Sequence, residues 1–448
     1  MLLPAAVSAY YGEYSSMKAF LICGLPTLLA GLFFAHSIRI PDGSALKMRD
    51  GFLIVALTWM GMSFIGSLPF LMTGSIADFT SAYFEAASGF TTTGATTLSN
   101  VEILSKSVLF WRSFTHWIGG MGVLVFTIAL LPRLGIGGRQ IMRAETTGPT
   151  MDKISFTTNE TAKKLYKMYS VMTILQIVLL SAGGMSLYDA ALHTFGSVGT
   201  GGFSNYNASV GAFGNLYFEM VIALFMMLCG INFSLYNNIA KGTPLKMFKD
   251  FELRLYLGII AASTTFIALM LYINNVYGGI GEAFRYSYFQ VSSIMTTTGY
   301  ATADFDLWPN SCRFILFLLM IIGSCAGSTA GGLKVIRLAF IIKLVKRGIS
   351  RRLHPRAVMP IKIGGSIVSA DTVSGVASFV ILYLMTMAGS TLLISLEGVS
   401  MVSAASSVIA CLSNIGPGFE AVGPTMNFGF YSPASKILLS CLMIAGRL

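Results

Sequence analysis

Long apolar segments, separated by polar loops, recur along the whole chain. Segments of about 20 largely apolar residues predict membrane-spanning helices. They lie near 17–36, 51–72, 108–131, 166–184, 215–237, 254–276, 311–345, 373–397 and 430–448. Between some of them lie semi-apolar segments of about ten residues, which as helices reach only about half-way through a bilayer. The pattern therefore predicts an all-α, multi-pass membrane protein with re-entrant segments.

Composition supports a membrane protein and helps to orient it. The chain has 448 residues, of which 54% are hydrophobic and only 11% are charged, whereas soluble domains carry roughly 25% charged residues. The net charge of +11 comes from particular loops, which favours membrane topology over binding to nucleic acid. The six cysteines are scattered without a CxxC motif, so neither a disulfide framework nor a zinc site is predicted.

Loops rich in Lys and Arg alternate with loops that have few. Loop 132–167 carries seven and 334–362 carries nine, whereas 185–214 and 398–430 carry none and 73–107 and 277–312 carry one each. Positively charged loops stay on the cytoplasmic side. The loops with few Lys and Arg residues, which contain the half-length segments, are therefore predicted to face the outside of the cell.

Four half-length segments share one spacing to a glycine. Counting nine residues forward from Glu85, His193, Gln290 and Ser407 leads to Gly94, Gly202, Gly299 and Gly416. The tetrapeptides that end there read TTTG, GTGG, TTTG and SNIG, and the glycines are 108, 97 and 117 residues apart. Such a period indicates tandem copies of one unit. We predict four units of helix, half-helix, Gly-containing loop and helix at 47–145, 146–245, 246–362 and 363–448, after an N-terminal helical segment at 1–46.

Four such loops around one axis have the chemistry of a cation filter. Irregular backbone within a membrane must be buried in protein or line a watery cavity, and rings of carbonyl oxygens replace the hydration shell of a small cation. Glycine permits the dihedral angles that this backbone needs, and each half-helix would point its partly negative C-terminal end at the centre. The predicted filter residues are Thr92, Thr93, Gly94, Thr200, Gly201, Gly202, Thr297, Thr298, Gly299, Asn414, Ile415 and Gly416.

The residue types of the filter select among ligands. The tetrapeptides contain no charged residue, whereas pores for multivalent cations use Asp or Glu rings and anion pores use Arg or Lys. A dehydrated monovalent cation is therefore expected. A single Thr-rich loop would more often be a helix cap or packing site, but four copies at one offset favour a filter.

The motifs resemble those of a known superfamily. "SGFTTTGATT", "HTFGSVGTGGFS", "TTTGYATADFDLWP" and "LSNIGPGF" are similar to the four filter segments of the Trk/Ktr/HKT potassium transporters. "RDGFLIV", "SLPF" and "FTHWIGGMGVLVF" resemble the bacterial TrkH branch. In plant relatives a serine at the first filter glycine accompanies sodium transport, so Gly94 implies potassium. The resemblance implies potassium uptake across a bacterial inner membrane, with K⁺ as the transported ion and no cofactor.

The resemblance also implies partners. Members are homodimers with a pore in each protomer, bound to a cytosolic ring of TrkA-type, nucleotide-binding regulatory subunits. The basic stretches 132–167 and 334–362 are docking surfaces by this analogy, although the positive-inside rule alone explains their charge. A Na⁺- or H⁺-coupled potassium symporter on the same fold is the alternative function. An enzyme is not expected, because no cluster of acidic and histidine residues falls within the apolar segments.

The third unit contains an interrupted span. "IIGSCAGSTAGGLKVIR" (321–337) places ten small or polar residues within it, where each glycine costs about 1 kcal/mol relative to alanine. We predict an intramembrane gate built from Gly323, Gly327, Ser328, Thr329, Gly331 and Gly332. The alternative is close helix packing through the GxxxGxxxG spacing. A phosphate-binding loop is rejected, since Leu333 separates the last glycine from Lys334.

A few single residues attract attention. Arg447 lies in the last apolar run, where a charge is costly and usually functional. The resemblance implies that it blocks cations near the gate and bonds the loop, the alternative being an arginine that snorkels from a helix end. Asp304, Asp306 and Glu420 follow filter glycines and either concentrate cations at the mouth or are ordinary loop carboxylates. Both chain ends are expected to be incomplete, because they fall in apolar runs.

Overall fold

The computed structural model describes residues 1–37, 48–122, 158–240, 242–354, 359–364, 366–368 and 370–448. The helices of this part of the chain are α1 (Leu2–Tyr10), α2 (Tyr14–Ser37), α3 (Met48–Met72), α4 (Phe79–Phe90), α5 (Lys106–Gly120), α6 (Thr158–Ala182), α7 (Leu187–Gly199), α8 (Leu216–Cys229), α9 (Asn237–Ala240), α10 (Phe251–Ile273), α11 (Ile280–Met295), α12 (Asn310–Ile322), α13 (Val335–Leu353), α14 (Ala370–Ser395), α15 (Met401–Leu412) and α16 (Pro433–Ala445). A small antiparallel hairpin joins β1 (Lys362–Ile363) to β2 (Ser366–Ile367), with Lys362 opposite Ile367. The all-α prediction is confirmed.

Five of the described helices are long and apolar enough to cross a membrane. They are Tyr14–Ser37, Leu53–Met72, Ala162–Ala182, Phe251–Ile273 and Thr372–Ser395. Each coincides with a predicted span. The predicted span 108–131 begins within α5, and its part after residue 122 lies outside the described residues, as does most of the basic loop 132–167.

Two predicted spans are broken in the structure. The break in 311–345 is confirmed, because α12 ends at Ile322 and α13 begins at Val335. The prediction of one continuous helix at 215–237 is wrong, because the chain bends by 99° between Leu216–Cys229 and Phe233–Ile239. Gly230, which lies between the two helices, is closely packed: a Cβ there would lie 2.5 Å from the Tyr256 hydroxyl and 2.8 Å from Ser324 Oγ.

The four half-length segments form the short helices α4, α7, α11 and α15, of 12, 13, 16 and 12 residues. We call them pore helices one to four. Side chains cap the N-termini of three of them: Asp78, Ser186 and Ser400 accept hydrogen bonds from the backbone N–H groups of Ser81, Asp189 and Ser403. A hydrogen bond from Thr80 lowers the pKa of Asp78 to about 2, so this cap is charged at neutral pH.

The helices pack in a closed circle. Each pore helix lies between the helix that precedes it and the helix that follows it, as α4 does between α3 and α5. The helix after each pore helix also contacts the next pore helix: α5 contacts α7, α8 contacts α11, and α12 contacts α15. The last helix, α16, packs back against α4. The circle therefore brings the C-terminal ends of all four pore helices to one centre.

Candidate ion-conduction site

Each pore helix ends in the same hydrogen-bond pattern. The third residue of every tetrapeptide donates its backbone N–H to the carbonyl five residues back, at 2.7–2.9 Å: Thr93 to Ser88, Gly201 to Gly196, Thr298 to Ser293, and Ile415 to Ala410. The second residue donates to the carbonyl three residues back. Together these two bonds form a Schellman motif, which requires a left-handed residue just after the helix. The tetrapeptides are therefore four copies of one helix end.

The left-handed position is occupied without glycine in all four copies. The φ angles are 51° at Thr92, 56° at Thr200, 53° at Thr297 and 57° at Asn414. A left-handed residue with a Cβ costs about 1–2 kcal/mol and persists only where the surroundings hold it. The final glycines also have positive φ, of 81°, 76°, 84° and 101° at Gly94, Gly202, Gly299 and Gly416.

The four tetrapeptides touch one another in a ring. A Cβ built on Gly94, Gly202 or Gly299 would lie 2.0 Å from a carbonyl oxygen of the following segment, namely that of Gly201, Thr298 or Ile415. On Gly416 it would lie 2.8 Å from the carbonyl oxygen of Thr93, which closes the ring. Real Cβ atoms do not approach oxygen this closely, so each position excludes any other residue unless the backbone shifts.

Side chains at the common offset of nine residues hold the chain that leaves the ring. Glu85 accepts hydrogen bonds from the Thr96 hydroxyl and the Thr97 backbone N–H, both at 3.0 Å. His193 Nε2 lies 3.1 Å from Ser204 Oγ. The bonded partners, Thr96, Thr97 and Ser204, follow the tetrapeptide glycine by two or three positions. The nine-residue spacing that aligns the units therefore corresponds to a repeated contact.

The third and fourth units vary this contact. With its amide oxygen turned toward the loop, Gln290 accepts from the backbone N–H groups of Thr302 at 2.8 Å and Ala303 at 3.2 Å. Ser407 differs, because its hydroxyl lies 2.8 Å from that of Tyr431 instead. Three of the four units therefore brace the segment beyond the glycine from the same position of the pore helix.

A buried arginine that the sequence analysis did not single out joins the first two units. Arg112 of α5 is 2% exposed, and its Nε lies 2.7 Å from the carboxylate of Glu85, which is 0% exposed. Its Nη1 donates to the carbonyl of Ser204 at 3.2 Å, and its guanidinium lies 3.9 Å from the centre of the Phe203 ring. The available signal was a charge between apolar residues of a predicted span.

His116, on the same helix, lies behind the same part of the ring. Its Nδ1 is 2.8 Å from the carbonyl of Gly89, and its ring packs against Phe203 with centroids 4.2 Å apart. A Cβ on Gly201 would lie 2.3 Å from the imidazole Cγ. The His116 imidazole therefore packs directly against the backbone of Gly201.

A cavity of about 120 Å³ opens beyond the ring. The four glycines Gly94, Gly202, Gly299 and Gly416 all line it, which places them around one axis. The carboxylates predicted near the mouth are not among its lining residues. Asp306 instead lies 2.8 Å from Arg313, and its other oxygen accepts the backbone N–H of Glu420. Burial raises the pKa of Asp306, and its charge is compensated locally.

On the opposite side of the ring lies the interrupted span, which we call the intramembrane loop (residues 323–334). It contacts the third and fourth of the predicted filter segments: the Gly331 N–H donates to Thr297 Oγ1 at 2.7 Å, Ser324 Oγ donates to the carbonyl of Met295 at 2.8 Å, and a Cβ on Gly331 would lie 2.1 Å from the carbonyl of Ser413. The loop therefore sits directly under the predicted filter.

The predicted gate residues occupy different parts of this loop. Gly323, Gly327 and Gly332 have φ angles of 70°, 72° and 74°, so they are the positions where the loop needs glycine. Ser328 Oγ donates to the carbonyl of Cys325 at 2.6 Å, and Thr329 Oγ1 lies 3.3 Å from the carbonyl of Val198 in pore helix two. The GxxxGxxxG packing alternative does not describe these residues, because the segment is not helical.

Arg447 connects the loop to the first filter segment. Its Nε donates to the carbonyl of Thr91 at 2.8 Å, and its Nη1 donates to the carbonyl of Thr329 at 2.7 Å. These contacts argue against the snorkelling alternative, since both carbonyls belong to the centre of the molecule. The guanidinium therefore places a positive charge beside the filter, on the side of the intramembrane loop.

Comparison with known proteins identifies relatives of this arrangement. Residues 27–448 match the family described as TrkH, cation transport protein. The Trk system potassium uptake protein TrkH of Salmonella typhimurium is 37% identical, over 100% of this chain and 92% of that protein. TrkG of the Trk potassium uptake system of Escherichia coli is 34% identical over the same shares.

A solved structure has the same fold. The crystal structure of the potassium transporter TrkH from Vibrio parahaemolyticus superposes with a TM-score of 0.87, at 35% sequence identity. The match covers 100% of this chain and 92% of that one.

Proposed function

The chain belongs to the TrkH family of cation transport proteins, and we propose that it takes up potassium through a channel-like filter made of the four Gly-containing loops. The observation that carries the proposal is the closed ring in which each filter glycine packs against a carbonyl of the next segment. A dehydrated cation is stabilised by such carbonyl oxygens. The four tandem units at 47–145, 146–245, 246–362 and 363–448 would each supply one quarter of the ring.

Selectivity for potassium is supported by the residues and by the relatives. The filter tetrapeptides contain no charged side chain, and the relatives are potassium uptake proteins by name. The C-terminal ends of four pore helices meet at the ring, where their partial negative charges favour a cation. We therefore propose that Thr92, Thr93 and Gly94, with their counterparts in the other three units, bind K⁺ as the transported substrate.

The intramembrane loop is proposed as the gate. In this conformation it lies under the filter, and Arg447 adds a positive charge that opposes the passage of cations. Opening would require the loop to withdraw from Thr297 and Val198 and to release the arginine. The protein would work as a homodimer in a bacterial inner membrane, with the loop controlled by a cytosolic TrkA-type regulatory subunit.

Replacement of one filter glycine tests the proposal. Gly94→Ser should relax the preference for K⁺ over Na⁺, because its Cβ would meet the carbonyl oxygen of Gly201. Reversal potentials of the purified protein in planar bilayers measure the permeability ratio. Gly74→Ser is the matched control: Gly74 has a φ of 70°, similar to 81° at Gly94, but open space around it.

Two results would contradict this proposal. An unchanged permeability ratio in Gly94→Ser would remove Gly94 from the filter. Uptake coupled to sodium or protons at a fixed stoichiometry, without currents that reverse at the potassium potential, would favour the symporter alternative. Because the control shares the backbone conformation, a general effect of serine in a left-handed turn would appear in both variants.

A further inference from the structure

A second buried carboxylate lies beside the intramembrane loop, and no motif in the sequence points to it. Glu252 is in the first turn of α10 and is 7% exposed. The N-terminal end of a helix favours a negative charge, but a buried carboxylate also needs hydrogen-bond donors. The residues that supply these donors indicate what Glu252 does.

Both donors are backbone groups near the two ends of the loop: Ala326 is its fourth residue, and Ile336 lies two residues beyond it, in the first turn of α13. One carboxylate oxygen of Glu252 accepts the N–H of Ala326 at 2.8 Å and the N–H of Ile336 at 3.1 Å. These donors are ten residues apart in the chain. Among the described residues no Lys or Arg nitrogen lies within 4.0 Å of this carboxylate, so its short-range partners are the loop itself.

The rest of the loop base is also held by backbone groups. The N–H groups of Leu333, Lys334 and Val335 donate to the carbonyls of Ile321, Ile322 and Ser324 at 2.8–3.1 Å. The Cys325 N–H donates to the carbonyl of Gly230 at 3.1 Å, at the point where the second unit bends. The base is therefore a closed hairpin that Glu252 ties together from one side.

The tip of the loop is held differently. Between Ser328 and Gly331 the hydrogen bonds to neighbouring elements involve side chains: Thr329 Oγ1 lies 3.3 Å from two carbonyls, the Arg447 guanidinium bonds the Thr329 carbonyl, and the Gly331 N–H donates to Thr297 Oγ1. At the edge of the tip, the backbone N–H of Phe233 donates to the carbonyl of Gly327 at 3.0 Å. Glycines with positive φ flank this tip on both sides. Rotation about these glycines can move the tip without breaking the backbone bonds of the base.

We infer that Glu252 is a positioning residue of the gate, which fixes both ends of the intramembrane loop so that only the tip, Gly327–Gly332, moves. The inference rests on the proposed gating role of the loop. What matters is that an oxygen of the Glu252 side chain reaches the Ala326 and Ile336 N–H groups, and its negative charge is not required. A side chain of equal length with an acceptor oxygen should therefore replace glutamate, whereas a shorter carboxylate should not.

Reaction of Cys325 with a thiol reagent tests this inference. Cys325 is buried in the loop base, next to Ala326. In protein whose other five cysteines are replaced by alanine, a membrane-impermeant methanethiosulfonate on the cytoplasmic side should modify it slowly. Glu252→Asp should speed this modification about tenfold, because the shorter side chain loses its hydrogen bonds to the Ala326 and Ile336 N–H groups. Glu252→Gln should react at the parent rate.

Glu219→Gln is the matched control, since Glu219 is also a buried first-turn glutamate but pairs with Arg285 away from the loop. It should leave the modification rate of Cys325 unchanged. A parent-like rate in Glu252→Asp would overturn the inference, and so would Glu252→Gln reacting as fast as Glu252→Asp.

The permeability ratio for K⁺ over Na⁺, measured on the same proteins, should be equal in all the variants and their parent. Absence of potassium-selective flux in the parent would count against the proposed function alone, because Cys325 modification reports the loop base without reference to selectivity. Both Glu252 variants keep a polar side chain, which limits the risk that they fail to fold.

Discussion

The ring of four tetrapeptides and the intramembrane loop are both rich in small residues, yet different kinds of contact hold them in place. In the ring, glycines press against backbone carbonyls at distances that leave no room for a Cβ. In the loop, glycines with positive φ mark the ends of a segment that is held mainly by side-chain contacts. The contrast teaches that glycine permits close packing in both regions, since a Cβ on Gly331 would lie 2.1 Å from the carbonyl of Ser413, whereas the loop adds side-chain hydrogen bonds to its neighbours.

The largest effect on transport is expected from a substitution within the ring. Gly202→Ala places a Cβ 2.0 Å from the carbonyl oxygen of Thr298, and displacing packed backbone costs on the order of 3 kcal/mol. Potassium flux in proteoliposomes should fall about a hundredfold. Gly12→Ala, with a φ of 72° in open space, controls for the left-handed conformation. Equal flux in the two variants would mean that the ring is not tightly packed.

The next effect concerns the support behind the ring. Arg112→Met leaves the buried carboxylate of Glu85 without its cation, which should lower the free energy of unfolding by about 3–5 kcal/mol. Thermal unfolding in detergent measures the loss. The double variant Glu85→Gln/Arg112→Met should recover part of it, because no unpaired charge remains. Additive effects of the two substitutions would show that the pair does not act as a unit.

A smaller effect is expected at the loop. Arg447→Gln removes the guanidinium that joins the Thr91 and Thr329 carbonyls, so basal flux without a regulatory subunit should rise about tenfold, the equivalent of one charge-assisted hydrogen bond. Arg254→Gln, on the exposed face of α10, is the control. A decrease in flux would instead assign Arg447 to the support of the filter.

The smallest effect decides between the two interpretations of the acidic residues near the mouth. Asp306 is compensated by Arg313 at 2.8 Å, in a partly exposed pair that is worth about 1 kcal/mol or less. Asp306→Asn should therefore change conductance less than about twofold, even at low ionic strength. A several-fold loss at low salt that disappears at high salt would show that the carboxylate concentrates cations.

The common backbone geometry of the four tetrapeptides could be predicted because its signal is local. Each tetrapeptide glycine follows a pore-helix residue by nine positions: Gly94, Gly202, Gly299 and Gly416. In the first three units this spacing lets the pore-helix side chain bond the segment that follows the glycine. TTTG and SNIG share only their final glycine in sequence. Their backbones are alike, because in both tetrapeptides the second and fourth residues have positive φ.

Arg112 and Glu252 could not be assigned from the sequence, although each is a charge at the edge of or within an apolar segment. Their roles depend on partners far along the chain: the Ser204 carbonyl for Arg112, and the Ala326 and Ile336 N–H groups for Glu252. A charge in an apolar segment predicts that a partner exists. It does not say which loop supplies that partner.

The sequence by itself determined the helices and the four places where the backbone turns, because hydropathy and glycine spacing are local properties. Only the tertiary structure decided how these places meet. It closed the ring by packing α16 on α4, and it packed the bend of the second unit at Gly230 against Tyr256, where the Gly230 carbonyl accepts the N–H of Cys325. Contacts between units set these features, and no single unit contains the atoms that make them.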